Sequence, residues 1–351
     1  MQVNHRTSPP NTWRRGAVGM AILLWLVAIS LFVLPFIRTA DSSDSEELGT
    51  SMRSELDRPL DEGIAAFEAE YEPGLTEAIQ STSEEWLGED SELVAESDFV
   101  QLPRLAPGRK AYETHCMGCH GGVGDGAGAA SRYLEPRPRN FRHGIFKFTS
   151  TDTGGRPLRR DIFNTITRGL KGSSMPDFRL LSVELRWDLT EYVRYIAIRG
   201  EFEQLMLTLA TEDEEIPDPE EVAEIVFEGW DPKYLRAVYP TAPEGEVDED
   251  SIARGRAMYL DKGAANCATC HGETGIGDGP SAAGFNDAWG YPIVPRDLTT
   301  GVFRAGSGPE DLYRSISTGV NGTPMTAYGG SLTPEEIWDL VHFVQSLSKK
   351  N

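Results

Sequence analysis

The chain has only four cysteines, and they stand in two pairs of identical spacing: Cys116 with Cys119, and Cys267 with Cys270. A histidine follows each pair at once, His120 and His271. C-x-x-C-H reads as an attachment site for c-type haem. The two thiols are placed to form thioether links to the two vinyl groups, and the imidazole is held under the iron as one axial ligand. A bare CxxC could also be half a zinc site or a redox disulfide. Either would leave the adjoining histidine idle, and a zinc site using both pairs would have to draw distant parts of the chain together. Two copies of the full motif therefore point to two covalently attached c-type haems.

Each iron needs a second ligand. Met175 lies in GLKGSSMPDF and Met325 in GVNGTPMTAY, 55 and 54 positions after their histidines. Both follow a pair of glycines, Gly169 and Gly172 or Gly319 and Gly322, and both have a proline beside them, Pro176 or Pro324. A lone methionine is more often core filler, and Met117, Met206 and Met258 lack this matched setting. The candidate cofactor-binding set is thus Cys116, Cys119, His120 and Met175, then Cys267, Cys270, His271 and Met325. His120, Met175, His271 and Met325 are the metal ligands. His/Met ligation raises the haem potential and closes the iron, which suits electron transfer better than substrate chemistry. His5, His115, His143 and His342 have no matched counterparts and read as surface or packing residues.

These sites sit inside an internal repeat. After the cysteines, PRPRNFRHGIFKF from Pro136 corresponds to PRDLTTGVFRA from Pro295. DIFNTITRGL from Asp161 corresponds to DLYRSISTGV from Asp311, and Trp187 corresponds to Trp338. Upstream, GRKAY from Gly108 pairs with GRAMY from Gly255. Units of about 100 residues can each bury a core, so this is a tandem pair of domains. The pattern predicts short helices over 107–115 and 251–260 leading into the cysteine sites. Asp161 and Asp311 are expected as N-caps of the next helices, and Ser182 and Thr333 as caps of the last. Ile337, Leu340, Val341, Val344 and Leu347 recur at helical spacing after Pro334, which suits a first helical position.

With these residues in place, each module resembles a class I cytochrome c domain: a helix into CxxCH, a loop-rich middle, a methionine loop and a C-terminal helix. The pair resembles a diheme cytochrome c over about 200 of the 351 residues. The resemblance implies an all-α fold and haem attachment in the periplasm. It also implies that a proline after CxxCH, here Pro138 or Pro295, orients the axial histidine through its backbone carbonyl. Phe178, Tyr328, Trp187 and Trp338 are then expected to line or back the haem pockets, or to be ordinary core aromatics.

Residues 17–37 form an uncharged apolar run long enough to span a bilayer. Arg6, Arg14 and Arg15 precede it, and acids follow, which puts the N-terminus in the cytoplasm and the rest outside. Cleavage as a signal peptide is the competing reading. The expected organisation is a cytoplasmic tail (1–15), a transmembrane anchor (16–38), an acidic spacer (39–100), one cytochrome c domain (101–200), an acidic linker (201–250) and a second domain (251–351). The formal net charge of -22 belongs to the connectors. Residues 41–100 carry -17 and 201–250 carry -15, against +8 in 101–200 and -2 in 251–351. An acidic connector is therefore expected to lie against the basic first module, and its EEVAEIVFEGW stretch can form a helix, although a solvated linker is the plainer expectation.

The functional expectation is an electron carrier, not an enzyme. It would serve as a cytochrome subunit of, or a tethered shuttle to, a respiratory complex at the bacterial inner membrane, with the haem domains facing the periplasm. Its partners would be redox proteins and not nucleic acid. The alternatives are a diheme peroxidase or a thiosulfate-oxidising cytochrome. No cysteine outside the two motifs is available as an unusual ligand, and the matched methionine loops disfavour a specialised peroxidatic site. A redox sensor is a further alternative, with little room for a signalling module in the tail.

Overall fold

A computed structural model of the chain describes residues 75–88, 100–213 and 216–348. The expected cytoplasmic tail and anchor lie outside the described residues. Among the described residues, no helix is long and apolar enough to cross a membrane.

The fold is helix-rich. The first module contains α1 (Leu75–Leu87), α2 (Leu102–His115), α3 (Met117–His120), α4 (Arg159–Arg168), α5 (Val183–Asp213) and α6 (Pro219–Trp230). The second contains α7 (Glu249–Leu260), α8 (Ala268–His271), α9 (Pro309–Thr318) and α10 (Pro334–Leu347). The all-α expectation needs one amendment. A small antiparallel ribbon, β1 (Phe285–Asn286) with β2 (Pro292–Ile293), interrupts the second module.

In each module the helix entering the cysteine site crosses the last long helix, and a glycine sits at the crossing. A Cβ on Gly108 of α2 would collide with the backbone carbonyl of Asp188 and with Tyr192, and one on Gly255 of α7 with that of Asp339 and with Phe343. The repeated glycine thus sets the close approach of two helices. An ion pair flanks each crossing: Arg104 to Asp188 at 2.7 Å, and Arg254 to Asp339 through two bonds of 2.7 and 2.8 Å.

The caps follow the sequence in part. Thr333 accepts from Glu336 N while Glu336 reaches back to Thr333 N, and Ser182 accepts from Leu185 N. Asp161 and Asp311, however, are the third residues of their helices and not the N-caps. Their carboxylates reach back to the amides of Leu158 and Gly308, and Asp161 also receives the amide of Ser150. The helices begin earlier than expected because a carboxylate at this position can still satisfy the orphan donors of the first turn.

The connectors are less solvated than their charge implies. Helix α5 runs on past residue 200, and α6 folds back on it, so Phe202, Met206, Val222, Val226 and Trp230 belong to the same core as Tyr112 and Leu189. Helix α1 adds Ile79 and Leu87, and Tyr195 donates to the carbonyl of Leu87. The linker and the described part of the spacer are therefore structural parts of the first module. The physical reason is amphipathicity: α6 buries one apolar face, and each large side chain so buried contributes ~1.5–3 kcal/mol.

The acids on these segments also meet the basic charge of the first module. Glu201 pairs with Arg156 and accepts from Trp230 Nε1, and Glu203 pairs with Arg142 and Arg199. Glu84 of α1 pairs with Arg199 at 2.7 Å. Beyond α6 the chain bridges the loop near Thr151 and then passes the second module, where Trp338 donates to the carbonyl of Ala242.

Candidate haem sites

The second cysteine of each pair lies on a short helix, α3 or α8, with the first cysteine at its N-cap; α3 follows its entering helix at once, and α8 follows after residues 261–267. The first tyrosine of the repeat locks this junction. Tyr112 donates to the carbonyl of Gly121 at 2.8 Å, and Tyr259 to that of Gly272 at 2.7 Å. None of the four cysteines is in a disulfide. Burial pushes the Cys116 thiol up to about 12 and the Cys267 thiol up to about 11. Among the described residues, no cluster of three or more His, Cys, Asp or Glu side chains is arranged to hold a metal ion.

The two histidines are fixed in the same way. His120 Nδ1 lies 3.2 Å from the carbonyl of Arg139, and His271 Nδ1 lies 3.0 Å from the carbonyl of Arg296. A carbonyl can only accept, so Nδ1 carries the proton and Nε2 keeps its lone pair. Burial lowers the pKa of both rings and keeps them neutral. A neutral imidazole with a free Nε2 is the form that binds iron. The carbonyls belong to the residues after Pro138 and Pro295, so the expectation that each proline supplies the acceptor is corrected by one position.

The methionine loops are superimposable bond by bond. Leu170 N donates to the Met175 carbonyl at 3.2 Å, and Val320 N donates to that of Met325 at 3.1 Å. Ser173 Oγ accepts from Met175 N and donates to the carbonyl of Leu170; Thr323 makes the same two bonds with Met325 and Val320. Each loop leaves its helix through a glycine with positive φ, 61° at Gly169 and 68° at Gly319, a conformation that a side chain would strain.

In the first module these groups converge. Cys116, Cys119, His120 and Met175 line one cavity, walled by Phe146, Ile162, Ile166 and Phe178. Phe141 stacks on the His120 ring at 4.5 Å. The cavity joins thiols, a neutral imidazole and a thioether in apolar surroundings, which fits a covalently attached haem. Trp187 does not line this cavity and stacks on Phe163 at 4.1 Å, and Trp338 is buried against the linker. Tyr328 donates to the carbonyl of Ala265, two residues before Cys267. Met206 is fully buried core, and His342 is buried with Nδ1 3.0 Å from Ser251 Oγ.

The boundary between the modules was not legible as a site. The turn after β1 places Asp287 and Trp289 against the first module. Asp287 pairs with Arg139 at 2.5 Å and with Lys147 at 3.1 Å. Trp289 donates to the carbonyl of Asn140, and Arg139 stacks over its ring at 4.5 Å. On the other side Asn321, from the second methionine loop, accepts from Gly154 N and donates to Thr149 Oγ1 and to the carbonyl of Gly155. A length signal existed in the repeat. From CxxCH to Pro-Arg the second copy is longer by the ribbon, 24 positions against 18 from histidine to proline. From Lys147 to Asp161 the first copy is longer, 14 positions against 7 from Arg304 to Asp311. Each insert meets the other module: the ribbon turn meets Arg139, Asn140 and Lys147, and the segment after Lys147 meets Thr318 and Asn321.

The crossing helices, the CxxCH turns and the methionine loops together define two cytochrome c domains. Residues 252–348 match the family model for cytochrome c, and residues 103–193 match that for cytochrome c oxidase, cbb3-type, subunit III. The chain belongs to the diheme cytochromes c. It is 30% identical over 114 residues to the cbb3-type cytochrome c oxidase subunit FixP of Azorhizobium caulinodans, covering 32% of each chain. It is 31% identical over 135 residues to the cbb3-type subunit CcoP of an Azospirillum species, covering 34% of this chain and 40% of that protein. The similarity thus spans less than half the length of either relative. A chain of the reducing HAO-like protein complex of Kuenenia stuttgartiensis is 32% identical, with a TM-score of 0.56 over 69% of this chain and 96% of that one.

Proposed function

We propose that the protein transfers electrons through two covalently bound haems, one per module, each with His/Met ligation: His120 and Met175 in the first, His271 and Met325 in the second. The observation that carries this reading is the duplicated ligand framework. Both histidines offer Nε2 with Nδ1 tied to a carbonyl, and both methionine loops are closed by the same set of hydrogen bonds. A haem bound there supplies a one-electron Fe(III)/Fe(II) couple. The chain's own residues attach it, fix the ring of the axial histidine and wall the first site with apolar side chains. The first module is taken to extend from α1 through α6, and the second from α7 onward.

The protein is proposed to act as a subunit of, or a shuttle to, a membrane respiratory complex, held at the inner membrane by residues 16–38 with both modules facing the periplasm. The similarity to two cbb3-type oxidase subunits and to a chain of the reducing HAO-like complex supports this setting. Intact mass of the exported protein tests the haem count. Two haems per chain are expected, falling to one when Cys116 and Cys119 are both changed to Ala and the second pair is kept. A wild-type chain carrying one haem or none contradicts the reading. Detergent-dependent extraction from membranes tests the anchor: release of the full chain by salt or alkali alone would exclude it.

A further inference from the structure

The repeat carries a second matched pair of cations beyond the histidine-holding arginines. Nine positions after Pro138 lies Lys147, and nine after Pro295 lies Arg304. Docking of the modules gathers Arg139, Lys147, Arg296 and Arg304 at one boundary. Burial, then the charge of Arg139, brings the Lys147 ammonium down to about 8, and Arg304 adds to the same effect. Burial, then Arg296 and Arg139, also depresses Arg304. The acids that face this group are Asp287, bonded to Arg139 and Lys147, and Glu135, whose charge acts on Arg304. Arg304 Nε is buried with no hydrogen-bond partner among the described residues.

Cations outnumber acids here, and part of the cluster is out of water. A buried cationic donor without a partner is costly, and its usual resolution is an anion. The position of the cluster says which anion. The cavity that holds Cys116, Cys119, His120 and Met175 is also lined by Arg139 and Lys147, and by Arg304, which comes from the other module. A haem carries two propionate carboxylates, and a guanidinium fork matches a carboxylate in charge and geometry.

We propose that Arg304 of the second module, with Arg139 and Lys147 of the first, receives the propionate carboxylates of the haem in the first module's cavity, so that both modules hold this haem. The proposal rests on the haem reading above. It has two consequences. The carboxylate edge of a haem so held would face the second module, the side on which electrons pass between the two sites. The potential of the first haem also depends on a residue outside its own domain, because a nearby cation favours the more negative reduced state.

The test uses the full, haem-loaded chain and a potentiometric titration followed by optical and paramagnetic resonance spectra, which separate the two haems. Assignment uses the variant lacking the first cysteine pair. Arg304→Gln is expected to lower the midpoint of the first haem by roughly a tenfold change in its reduction equilibrium, about 59 mV for one electron. The ligation spectra of both haems should be unchanged, and Arg304→Lys should restore most of the shift. Asn321→Ala loosens the same boundary without removing charge and should leave the first midpoint in place. An unmoved first midpoint in Arg304→Gln overturns the proposal. So does an equal shift in Asn321→Ala, which would assign the effect to docking alone. A wild-type chain without a haem in the first module would instead defeat the haem reading itself, and the mass measurement above detects that separately.

Discussion

Arg139 serves His120 and Asp287 at once: its carbonyl accepts the Nδ1–H of His120 at 3.2 Å, and its guanidinium pairs with Asp287 at 2.5 Å. Asp287 belongs to the second module, so the residue that orients the first axial histidine is braced from outside its own domain. The reverse arrangement is not a copy. Arg296 holds His271, and its guanidinium bonds within the second module to the carbonyl of Val302, beside Gly172 of the first methionine loop.

Asp287→Asn removes a fully buried carboxylate from two cations. Breaking a buried pair leaves uncompensated charge and costs ~3 kcal/mol. The wild-type contribution also depends on pH. Arg139 and Lys147 hold the Asp287 carboxyl below the usual carboxylate range. Its stabilisation is therefore fully present above the unfolded pKa of about 3.9 and is lost as pH falls through the lower folded value. Calorimetry from pH 7 to pH 3 should show wild type and variant converging at the acid end.

Met175→His and Met325→His replace a thioether by an imidazole. Methionine raises the haem potential, so each variant should lower one midpoint and leave the other in place, within the ~0.8 V range that axial ligands span. Redox titration reads this directly. A variant that moves both midpoints equally would show that the modules do not ligate independently.

Gly255→Ala adds a Cβ where α7 meets the carbonyl of Asp339 and Phe343. Overpacking at a crossing of this kind costs ~1–3 kcal/mol. Denaturant unfolding should show the loss in the second module, and Gly108→Ala should show it in the first.

How much of this was legible depends on what each feature leaves in the sequence. Cys116, His120 and Met175, with their partners in the second copy, are marked by residue type and by repetition, and the crossings are marked by the repeated glycine. The caps were displaced because a carboxylate can reach back from the third helical position as well as cap from before the first. The connectors were misjudged because net charge hides a periodic apolar face: EEVAEIVFEGW is acidic overall, yet Val222, Val226 and Trp230 are buried. The docking face was missed because Asp287 and Trp289 lie in a ribbon that the first copy lacks, and Asn321 replaces Lys171 in a loop whose shared features draw attention to the methionine.

Trp230 gives the sharpest check on those connectors. It is fully buried, donates to Glu201 and packs edge-on against Phe146, which walls the first cavity. Trp230→Ala is expected to cost ~3–5 kcal/mol. A fragment of residues 101–200 should lack a cooperative unfolding transition, whereas one of residues 75–235 should show it. Cooperative unfolding of the shorter fragment would return α6 to the status of a linker.

The central claim is that the repeated loops supply Met175 and Met325 as the second axial ligands. Low-temperature paramagnetic resonance with near-infrared magnetic circular dichroism on the oxidised, full-length protein tests it most directly. Two low-spin haems, both with His/Met signatures, are the predicted result, and each signature should disappear with its own methionine in Met175→Ala or Met325→Ala. A high-spin haem in the wild type, a His/His signature, or a His/Met signature that survives loss of its methionine would contradict the account.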